Sequence, residues 1–239
     1  MVDGLRISGT FLLITRALRK FRAGPRFCAA SLRWAVLPVC AGLLVGCGGI
    51  GVKQVANLGS SGKNLVVLGD SIASGYDLPE EQAFPALLAA RLPIPVLNAG
   101  VPGDTTHSAL ARLDRDVLSR QPRIVLVELG GNDFLVRRPL AQVEADLTTI
   151  VTRIQASGAM VVLAGFELGL LGEDYGAVYQ RVAQQRRCLL VPDLLDGILG
   201  RHTSDRIHPD AEGHRLIAAR LEPPLRELIA AADRARRGG

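Results

Sequence analysis

Aromatic residues are scarce in this chain of 239 residues, at 4% of the total. Six of them follow residue 46, which leaves few rings for stacking on nucleotide bases. The same part of the chain lacks excess positive charge. Residues 1–46 hold seven of the 28 basic side chains and one of the 23 acidic ones, so residues 47–239 carry 21 basic and 22 acidic side chains. We therefore expect no nucleic-acid partner.

Cysteines that could crosslink a fold are equally scarce. Three of the four cysteines, Cys28, Cys40 and Cys47, lie in the first 47 residues, which leaves Cys188 alone in the rest of the chain. A single thiol cannot form an intrachain disulfide bond. Because Cys188 begins an apolar run, we expect it to be a buried and unreactive core residue.

The apolar stretch near the N-terminus is too short to span a membrane. Trp34–Gly46 has 13 residues, whereas a transmembrane helix needs roughly 20. A basic region precedes this stretch and small residues follow it, which is the three-part layout of a secretory signal. We therefore predict a signal peptide over residues 1–46.

The predicted signal peptide is followed at once by a cysteine. Leu44–Cys47 (LVGC) resembles the lipobox of bacterial lipoproteins, in which the cysteine is acylated and becomes the mature N-terminus. This resemblance implies a lipid anchor at Cys47 and a place in the cell envelope. Gly48 in the next position points to the periplasmic side of the outer membrane in a diderm bacterium. An ordinary signal peptide, giving a secreted or periplasmic soluble protein, is the alternative. Residues 47–63 are rich in glycine and serine and are expected to form a flexible tether.

Strand-like and helix-like segments alternate five times after the tether. With 48% apolar residues the chain can bury one core, and we expect one domain over residues 64–239. Alternation of this kind implies right-handed βαβ crossovers, so we predict an α/β fold, a three-layer α/β/α sandwich around a five-stranded parallel sheet. The expected strands are 64–68, 95–98, 124–129, 160–166 and 188–191, and the expected helices are 81–91, 105–119, 140–156, 174–185 and 210–232.

The loops that follow the strands carry residues suited to acyl transfer. In an open parallel sheet such loops meet at one edge, where ligands bind. Ser71 follows the first strand and offers a hydroxyl nucleophile. Asp205 and His208 share one loop, where the carboxylate can orient the imidazole that takes the proton of the serine. We therefore predict a catalytic triad of Ser71, His208 and Asp205.

Hydrogen-bond donors for an oxyanion can come from three of these loops. We predict the backbone N–H of Ser71, the backbone of Gly100, which has no side chain to block close approach, and the side-chain amide of Asn132. Ser74 is a weaker candidate for the nucleophile.

Other polar residues near these loops have structural interpretations. Three histidines recur every six residues, a spacing that does not place them on one helix face, so we expect no metal site. Two aspartates precede helical segments and are expected to be N-caps, and two more are expected to be structural. The histidines are His202, His208 and His214; the caps are Asp104 and Asp210; the structural aspartates are Asp70 and Asp133. His107 and His214 are expected to be surface or hydrogen-bonded histidines.

Four short blocks hold the candidate residues in chain order: Gly69–Ser71 (GDS), Gly100, Gly130–Asp133 (GGND) and Asp205–Pro209 (DRIHP). Together they resemble the SGNH, or GDSL, hydrolase superfamily, from about residue 64 to residue 219. The resemblance implies a flavodoxin-like sheet, ester hydrolysis, and no metal or organic cofactor. It gives the same roles to Ser71, Gly100, Asn132, Asp205 and His208.

The residues that flank three of the blocks narrow the resemblance. Ile72–Tyr76, Asn98–Thr106 and Glu128–Leu129 are similar to the bacterial thioesterase I, arylesterase and lysophospholipase group. This implies a small acyl ester, a thioester or a lysophospholipid as substrate, and we expect a monomer attached to the membrane by its anchor. Arg137 and Arg138 depart from the pattern of this group where the acyl groove would be bordered.

Two alternative functions remain at the level of the sequence. One keeps the triad but makes the substrate an acetylated carbohydrate, as in other branches of the superfamily. The other is a non-catalytic, flavodoxin-like binding lipoprotein that holds a phosphate in the loop Gly69–Gly75. A phosphate-binding protein has no use for Asn132, Asp205 and His208, whereas an esterase needs all three.

Overall fold

A computed structural model describes residues 50–167 and 175–238; the predicted signal peptide and Cys47 lie outside them. The described residues form a parallel sheet and seven α-helices. The strands are β1 Leu65–Gly69, β2 Val96–Gly100, β3 Ile124–Glu128, β4 Met160–Ala164 and β5 Leu189–Val191. The helices are α1 Ser71–Ser74, α2 Phe84–Arg91, α3 Thr106–Asp116, α4 Gly131–Leu135, α5 Leu140–Ala156, α6 Tyr175–Arg186 and α7 Ala211–Gly238.

The five strands lie in the order β2-β1-β3-β4-β5, and every neighbouring pair is parallel. This is the strand order of flavodoxin-like sheets. Helices α2 and α7 pack together on one side, while α3, α5 and α6 pack as a second layer. The predicted three-layer α/β/α sandwich with five parallel strands is therefore confirmed.

The three central strands are buried along their whole length because helices cover both faces of the sheet. Their sequences are nearly continuous runs of valine, leucine and isoleucine, as expected of parallel strands. Cys188 lies in this core just before β5, and burial raises the pKa of its thiol to about 12. The thiol therefore stays protonated, in agreement with the prediction of an unreactive core residue.

The segment 50–63 packs against the domain instead of forming the predicted flexible tether. Val55 is buried in the core. The side-chain amide of Asn57 donates to the carbonyl oxygen of Ala159, just before β4, at 3.0 Å. The carbonyl oxygen of Arg187, just before β5, accepts the N–H that follows Val55. These long-range partners place the segment at the end of the sheet where the strands begin, and the packed domain starts before residue 64.

His214 is the buried histidine of α7, and its imidazole is hydrogen-bonded, as expected from the sequence. Its Nδ1 accepts the backbone N–H of Phe84 at the start of α2, at 3.1 Å. Burial lowers the pKa of His214 to about 4, although the nearby Asp210 carboxylate acts in the opposite direction. Asp210 caps α7 by accepting the N–H of Gly213 at 2.8 Å, which confirms its predicted role.

The shifted pKa of His214 predicts a loss of stability in mild acid. The unfolded chain binds a proton at this histidine near pH 6.5, whereas the folded chain binds it near pH 4. Protons therefore favour the unfolded state across this window, and the free energy of unfolding falls as the pH drops from 6.5 to 4. His214→Asn keeps an acceptor for Phe84 but does not titrate there. We expect thermal melts to show a shallower fall of Tm across this window in the variant; parallel curves for both proteins would contradict the assignment.

Candidate active site

One apolar cleft of about 460 Å³ opens at the carboxyl ends of the strands. It is lined by the loops that follow β1, β2 and β3 and by the segment between β5 and α7. These are the loops in which the candidate residues were expected. Of those residues, the cleft brings together Ser71, Asn132 and His208.

A continuous chain of hydrogen bonds joins the three predicted triad residues. Ser71 Oγ lies 3.0 Å from His208 Nε2, and His208 Nδ1 lies 2.7 Å from Asp205 Oδ2. A carboxylate can only accept, so His208 donates from Nδ1 to Asp205, which leaves Nε2 of the neutral ring free to accept the proton of Ser71. The geometry is that of a nucleophile, a base and a carboxylate that orients the base.

Asp205 is held in its loop by more than the imidazole. Its Oδ1 accepts the backbone N–H groups of Ile207, at 3.1 Å, and His208, at 2.8 Å. The backbone N–H of His208 is the main cause of a pKa near 2 for this carboxyl, followed by the imidazole. Asp205 is therefore ionised in neutral solution. The two backbone hydrogen bonds from Ile207 and His208 to Asp205 fix the turn that presents His208 to Ser71.

The turn at Ser71, which lines the cleft, has one backbone N–H without a partner among the described residues. Asp70 Oδ1 accepts the N–H of Ile72 at 2.9 Å and so caps α1. Glu128 Oε2 accepts the N–H of Ala73 at 3.2 Å, and the N–H of Ser74 donates to the Asp70 carbonyl oxygen. Among the described residues the N–H of Ser71 alone in this turn has no acceptor. It is the donor that an oxyanion needs.

Ser74, the weaker candidate nucleophile, is not hydrogen-bonded to the base. Its Oγ donates to the carbonyl oxygen of Ser71 at 2.9 Å, one turn along α1. It is not among the residues that line the cleft.

Gly100 is not placed to donate to an oxyanion, which corrects the prediction. Its N–H donates to Asn98 Oδ1 at 2.9 Å, and a Cβ at this position would lie 2.4 Å from the backbone nitrogen of Ser74. The absence of a side chain therefore allows β2 to run directly against α1. Gly100 does not line the cleft.

Gly103 occupies the position that Gly100 was expected to fill. It lines the cleft and has a φ of +83°, with open space where a side chain would be. The N–H of Asp104 donates to the carbonyl oxygen of Val101 across the turn, at 3.2 Å. Proline at the second position and glycine with positive φ at the third are typical of a type II turn. Among the described residues the N–H of Gly103 has no acceptor. The sequence feature that indicates this turn, and so Gly103, is the Pro102-Gly103 pair.

Asn132 lies in the cleft with its amide engaged by the protein. Its Nδ2 donates to Asp70 Oδ2 and to the carbonyl oxygen of Asp104, each at 3.0 Å. An amide nitrogen has two hydrogens, so both are used in this arrangement. Donation to an oxyanion therefore requires that the bond to the Asp104 carbonyl oxygen be exchanged.

Asp104 forms a buried ion pair instead of the predicted helix cap. Its Oδ2 lies 2.5 Å from Arg112 Nε, and both side chains are buried. Thr105 caps α3 in its place by accepting the N–H of Ser108. Arg112 also donates to the carbonyl oxygen of Gly69 at 3.1 Å, which ties the β2–α3 loop to the end of β1.

Asp133 is structural, as predicted, and it engages one of the two unusual arginines. The buried Asp133 carboxylate accepts hydrogen bonds from the backbone N–H and the Oγ1 hydroxyl of Thr106, each at 2.8 Å, and lies 2.7 Å from Arg138 Nη1. Arg138 pairs with Asp146 as well, so it braces the loop after α4 rather than lining the cleft. Arg137 is exposed.

The profile of the GDSL-like lipase/acylhydrolase family matches residues 67–216, which include every member of the candidate triad. This chain belongs to that family. Esterase TesA of Pseudomonas aeruginosa is 33% identical to this GDSL hydrolase over 183 residues, which cover 71% of this chain and 91% of TesA. Thioesterase 1/protease 1/lysophospholipase L1 of Escherichia coli K12 is 33% identical over 175 residues, which cover 69% of this chain and 84% of that relative. A crystal structure of TesA superposes with a TM-score of 0.66 at 35% identity, covering 70% of this chain and 99% of that one.

Membership confirms the predicted resemblance and fold, and makes the chain an enzyme that hydrolyses ester bonds. Because 70% of this chain covers 99% of the crystallised TesA chain, a domain of this extent folds by itself there. Within residues 50–167 and 175–238 this GDSL hydrolase has no helix that is both long and apolar enough to span a bilayer. Three or more metal-binding side chains do not cluster anywhere in the same ranges.

Proposed function

We propose that this protein is a serine esterase that hydrolyses carboxylic esters and thioesters through a covalent acyl-enzyme. The observation that carries the proposal is the chain of hydrogen bonds from Ser71 through His208 to Asp205, with Ser71 Oγ opening onto an apolar cleft. A hydroxyl is a weak nucleophile unless an adjacent base accepts its proton.

The proposed reaction has two halves that use the same base. His208 Nε2 takes the proton of Ser71 as Oγ attacks the acyl carbonyl carbon, and the resulting imidazolium returns it to the leaving oxygen or sulfur as that bond breaks. Water then gives a proton to His208 and attacks the acyl-serine. Collapse of this second intermediate releases the acid and returns the proton to Ser71. Asp205 stabilises the imidazolium in both halves.

The proposed oxyanion hole consists of the N–H groups of Ser71 and Gly103 and the amide of Asn132. Support comes from the two backbone N–H groups without an acceptor in the described part of the chain and from the position of all three residues at the cleft. Such donors stabilise charge that develops only during reaction.

The proposed substrates are esters and thioesters with a hydrocarbon acyl chain, including lysophospholipids. The cleft is lined largely by apolar side chains such as Ile72, Phe134, Leu135 and Phe166, which suit an alkyl chain better than a sugar. The relatives named esterase and thioesterase 1/lysophospholipase L1 support the same class.

The test is a panel of esters with the purified domain, residues 50–239. We expect turnover of p-nitrophenyl esters, with kcat/KM higher for butyrate and octanoate than for acetate, and weak deacetylation of acetylated xylan. Higher activity on acetylated xylan than on any alkyl ester would favour the carbohydrate alternative. Absence of turnover on every ester, in a sample with the expected melting transition, would rule out the proposal.

Asp205→Ala should reduce turnover less than removal of the base itself. The variant keeps His208 but loses the carboxylate that sets its tautomer, so we expect kcat to fall by about 10⁴-fold, against about 10⁶-fold for His208→Ala. Steady-state kinetics on one soluble ester check the difference. Equal losses in the two variants would argue against a purely orienting role for Asp205.

We also propose that Cys47 carries a lipid anchor in the cell envelope. The support is the LVGC sequence after a signal-like segment. Two or more acyl chains are needed for stable membrane attachment. Expressed in a bacterial host with labelled palmitate, the full chain should fractionate with membranes and carry label, and Cys47→Ala should do neither. Soluble, unlabelled wild-type protein would instead mean an ordinary signal peptide.

A further inference from the structure

Every large hydrophobic side chain that the described residues expose lies around the mouth of the cleft. Four of the six line it, and the other two are next to lining residues in the sequence. Leu135 and Val136 have exposed fractions of 53% and 63%. The six, which we name the apolar rim, are Tyr76, Val101, Leu135, Val136, Leu199 and Ile207.

Among the exposed charged residues within two positions of an apolar-rim residue, arginines outnumber acids. Arg137, Arg201 and Arg206 are exposed on the rim loops, and none of them has an ion-pair partner among the described residues. The exposed acids within the same distance are Asp77 and Asp205, which is held by the imidazole; Glu80, Glu81 and Asp196 are exposed further along these loops. Scattered exposed apolar residues are normal on a protein surface, but their concentration at one mouth marks an interaction site.

We propose that the apolar rim docks on an anionic lipid surface. This inference rests on the proposed function, because the substrate of an esterase must enter through the mouth of the cleft. A lipid surface that covers the mouth can supply that substrate, whereas a protein partner would block its entry. Aliphatic side chains and a tyrosine suit the boundary between headgroups and acyl chains, and unpaired arginines suit anionic headgroups. The segment 50–63, which follows the proposed anchor at Cys47, lies at the opposite end of the sheet. The apolar rim can therefore contact a lipid surface other than the bilayer to which the anchor is attached.

The test compares two matched double substitutions in the domain of residues 50–239. Val136→Ser with Arg137→Glu changes the rim outside the cleft lining, and Ser119→Ala with Arg120→Glu changes an exposed pair at the other end of the sheet by the same charge. Vesicles of phosphatidylcholine with and without phosphatidylglycerol are sedimented with each protein. Hydrolysis of soluble p-nitrophenyl butyrate is measured in parallel.

We expect the wild-type domain to sediment with the anionic vesicles and the rim variant to bind about tenfold more weakly or worse. The control variant should bind like the wild type, and all three should hydrolyse the soluble ester alike. No sedimentation of an active wild-type domain, or equal loss in both variants, would overturn the docking proposal. Self-association of the domain that the rim substitutions abolish would make a second copy the occupant and overturn it too. An inactive domain that still binds through the rim would refute the esterase proposal instead.

A separate observation concerns Glu128, the last residue of β3, which is fully buried beneath α1. Its Oε2 accepts the N–H groups of Asp70, at 3.4 Å, and Ala73, at 3.2 Å, on either side of Ser71. A Cβ at Gly69 would lie 2.6 Å from this oxygen, so the nucleophile turn sits directly on the carboxyl. The other oxygen, Oε1, has no partner in the described part of the chain.

No basic side chain among residues 50–167 and 175–238 forms an ion pair with Glu128 that would balance an ionised carboxylate. The buried Arg112 pairs with Asp104, and the partly exposed Arg138 pairs with Asp133. Burial, with the nearby Asp70 carboxylate, raises the pKa of Glu128 well above its usual range. An uncompensated charge here would be costly, whereas a neutral carboxyl lets Oε2 accept the two N–H groups and leaves only the hydroxyl at Oε1 without a partner.

We infer that Glu128 is a positioning residue that holds the Ser71 turn as a neutral hydrogen-bond acceptor. Glu128→Gln keeps a neutral acceptor of the same shape and should retain kcat, whereas Glu128→Ala removes the acceptor and should lower kcat by about 10²-fold with little change in KM. A folded Gln variant that loses turnover to the same extent would show that the negative charge matters and overturn the inference. If the Ala variant does not fold, the Gln variant decides the question alone, since retained kcat supports a neutral acceptor.

Discussion

Ser71→Ala and His208→Ala are each expected to lower kcat by about 10⁶-fold, because either change removes the proposed route through an acyl-enzyme. The 3.0 Å bond between Ser71 Oγ and His208 Nε2 makes the two side chains one functional unit. The double variant should therefore be no worse than either single one. Single-turnover and steady-state assays on a soluble ester measure all three.

Ser74→Ala is the matched control for the nucleophile. It removes a hydroxyl from the same short helix, but that hydroxyl donates to a backbone carbonyl oxygen and is not hydrogen-bonded to the base. We expect it to keep most of its turnover. If Ser74→Ala lost activity and Ser71→Ala retained it, Ser74 and not Ser71 would be the nucleophile.

Asn132→Ala is expected to lower kcat by about 10²–10³-fold with little change in KM. In the proposed mechanism the amide stabilises charge that the carbonyl oxygen gains only during the reaction, so its loss should lower the rate of the reaction step and leave binding unchanged. Asn64→Ala removes an amide at the other end of the sheet, where it donates to the carbonyl oxygen of Arg120, and should not change kcat. A change in KM alone for Asn132→Ala would contradict the role.

The fold could be predicted because its signals are local and repeated. Central strands of valine and leucine alternate with helical segments, and α5 has the bounds that the periodicity predicts. Helices α1 and α4 were not predicted, since four or five residues are too few to show a helical period. Yet these two helices carry Ser71 and Asn132, so the sequence located the residues without the elements that aim them.

The parts that could not be predicted depend on contacts between distant residues. The choice between Gly100 and Gly103 depends on β2 extending until Gly100 pairs with Gly69, which turns its N–H toward Asn98 and leaves Gly103 at the cleft. Asp104 has the sequence of a cap, but the cation that claims it is Arg112, two turns along α3.

The same limit applies to the segment 50–63. Its glycines and serines are typical of a linker, and the partners that pack it, before β4 and β5, lie more than 100 residues further along the chain.

The central claim, that Ser71 is activated by His208 as the nucleophile, is tested most directly by covalent labelling. The purified domain is treated with an alkyl fluorophosphonate, digested and sequenced by mass spectrometry, alongside the Ser74→Ala and His208→Ala variants. We expect one label per molecule on Ser71, with loss of esterase activity in step with labelling. Ser74→Ala should label at the same rate and His208→Ala far more slowly. A folded, active domain that takes up no label at Ser71, or labels equally fast without His208, would contradict the account.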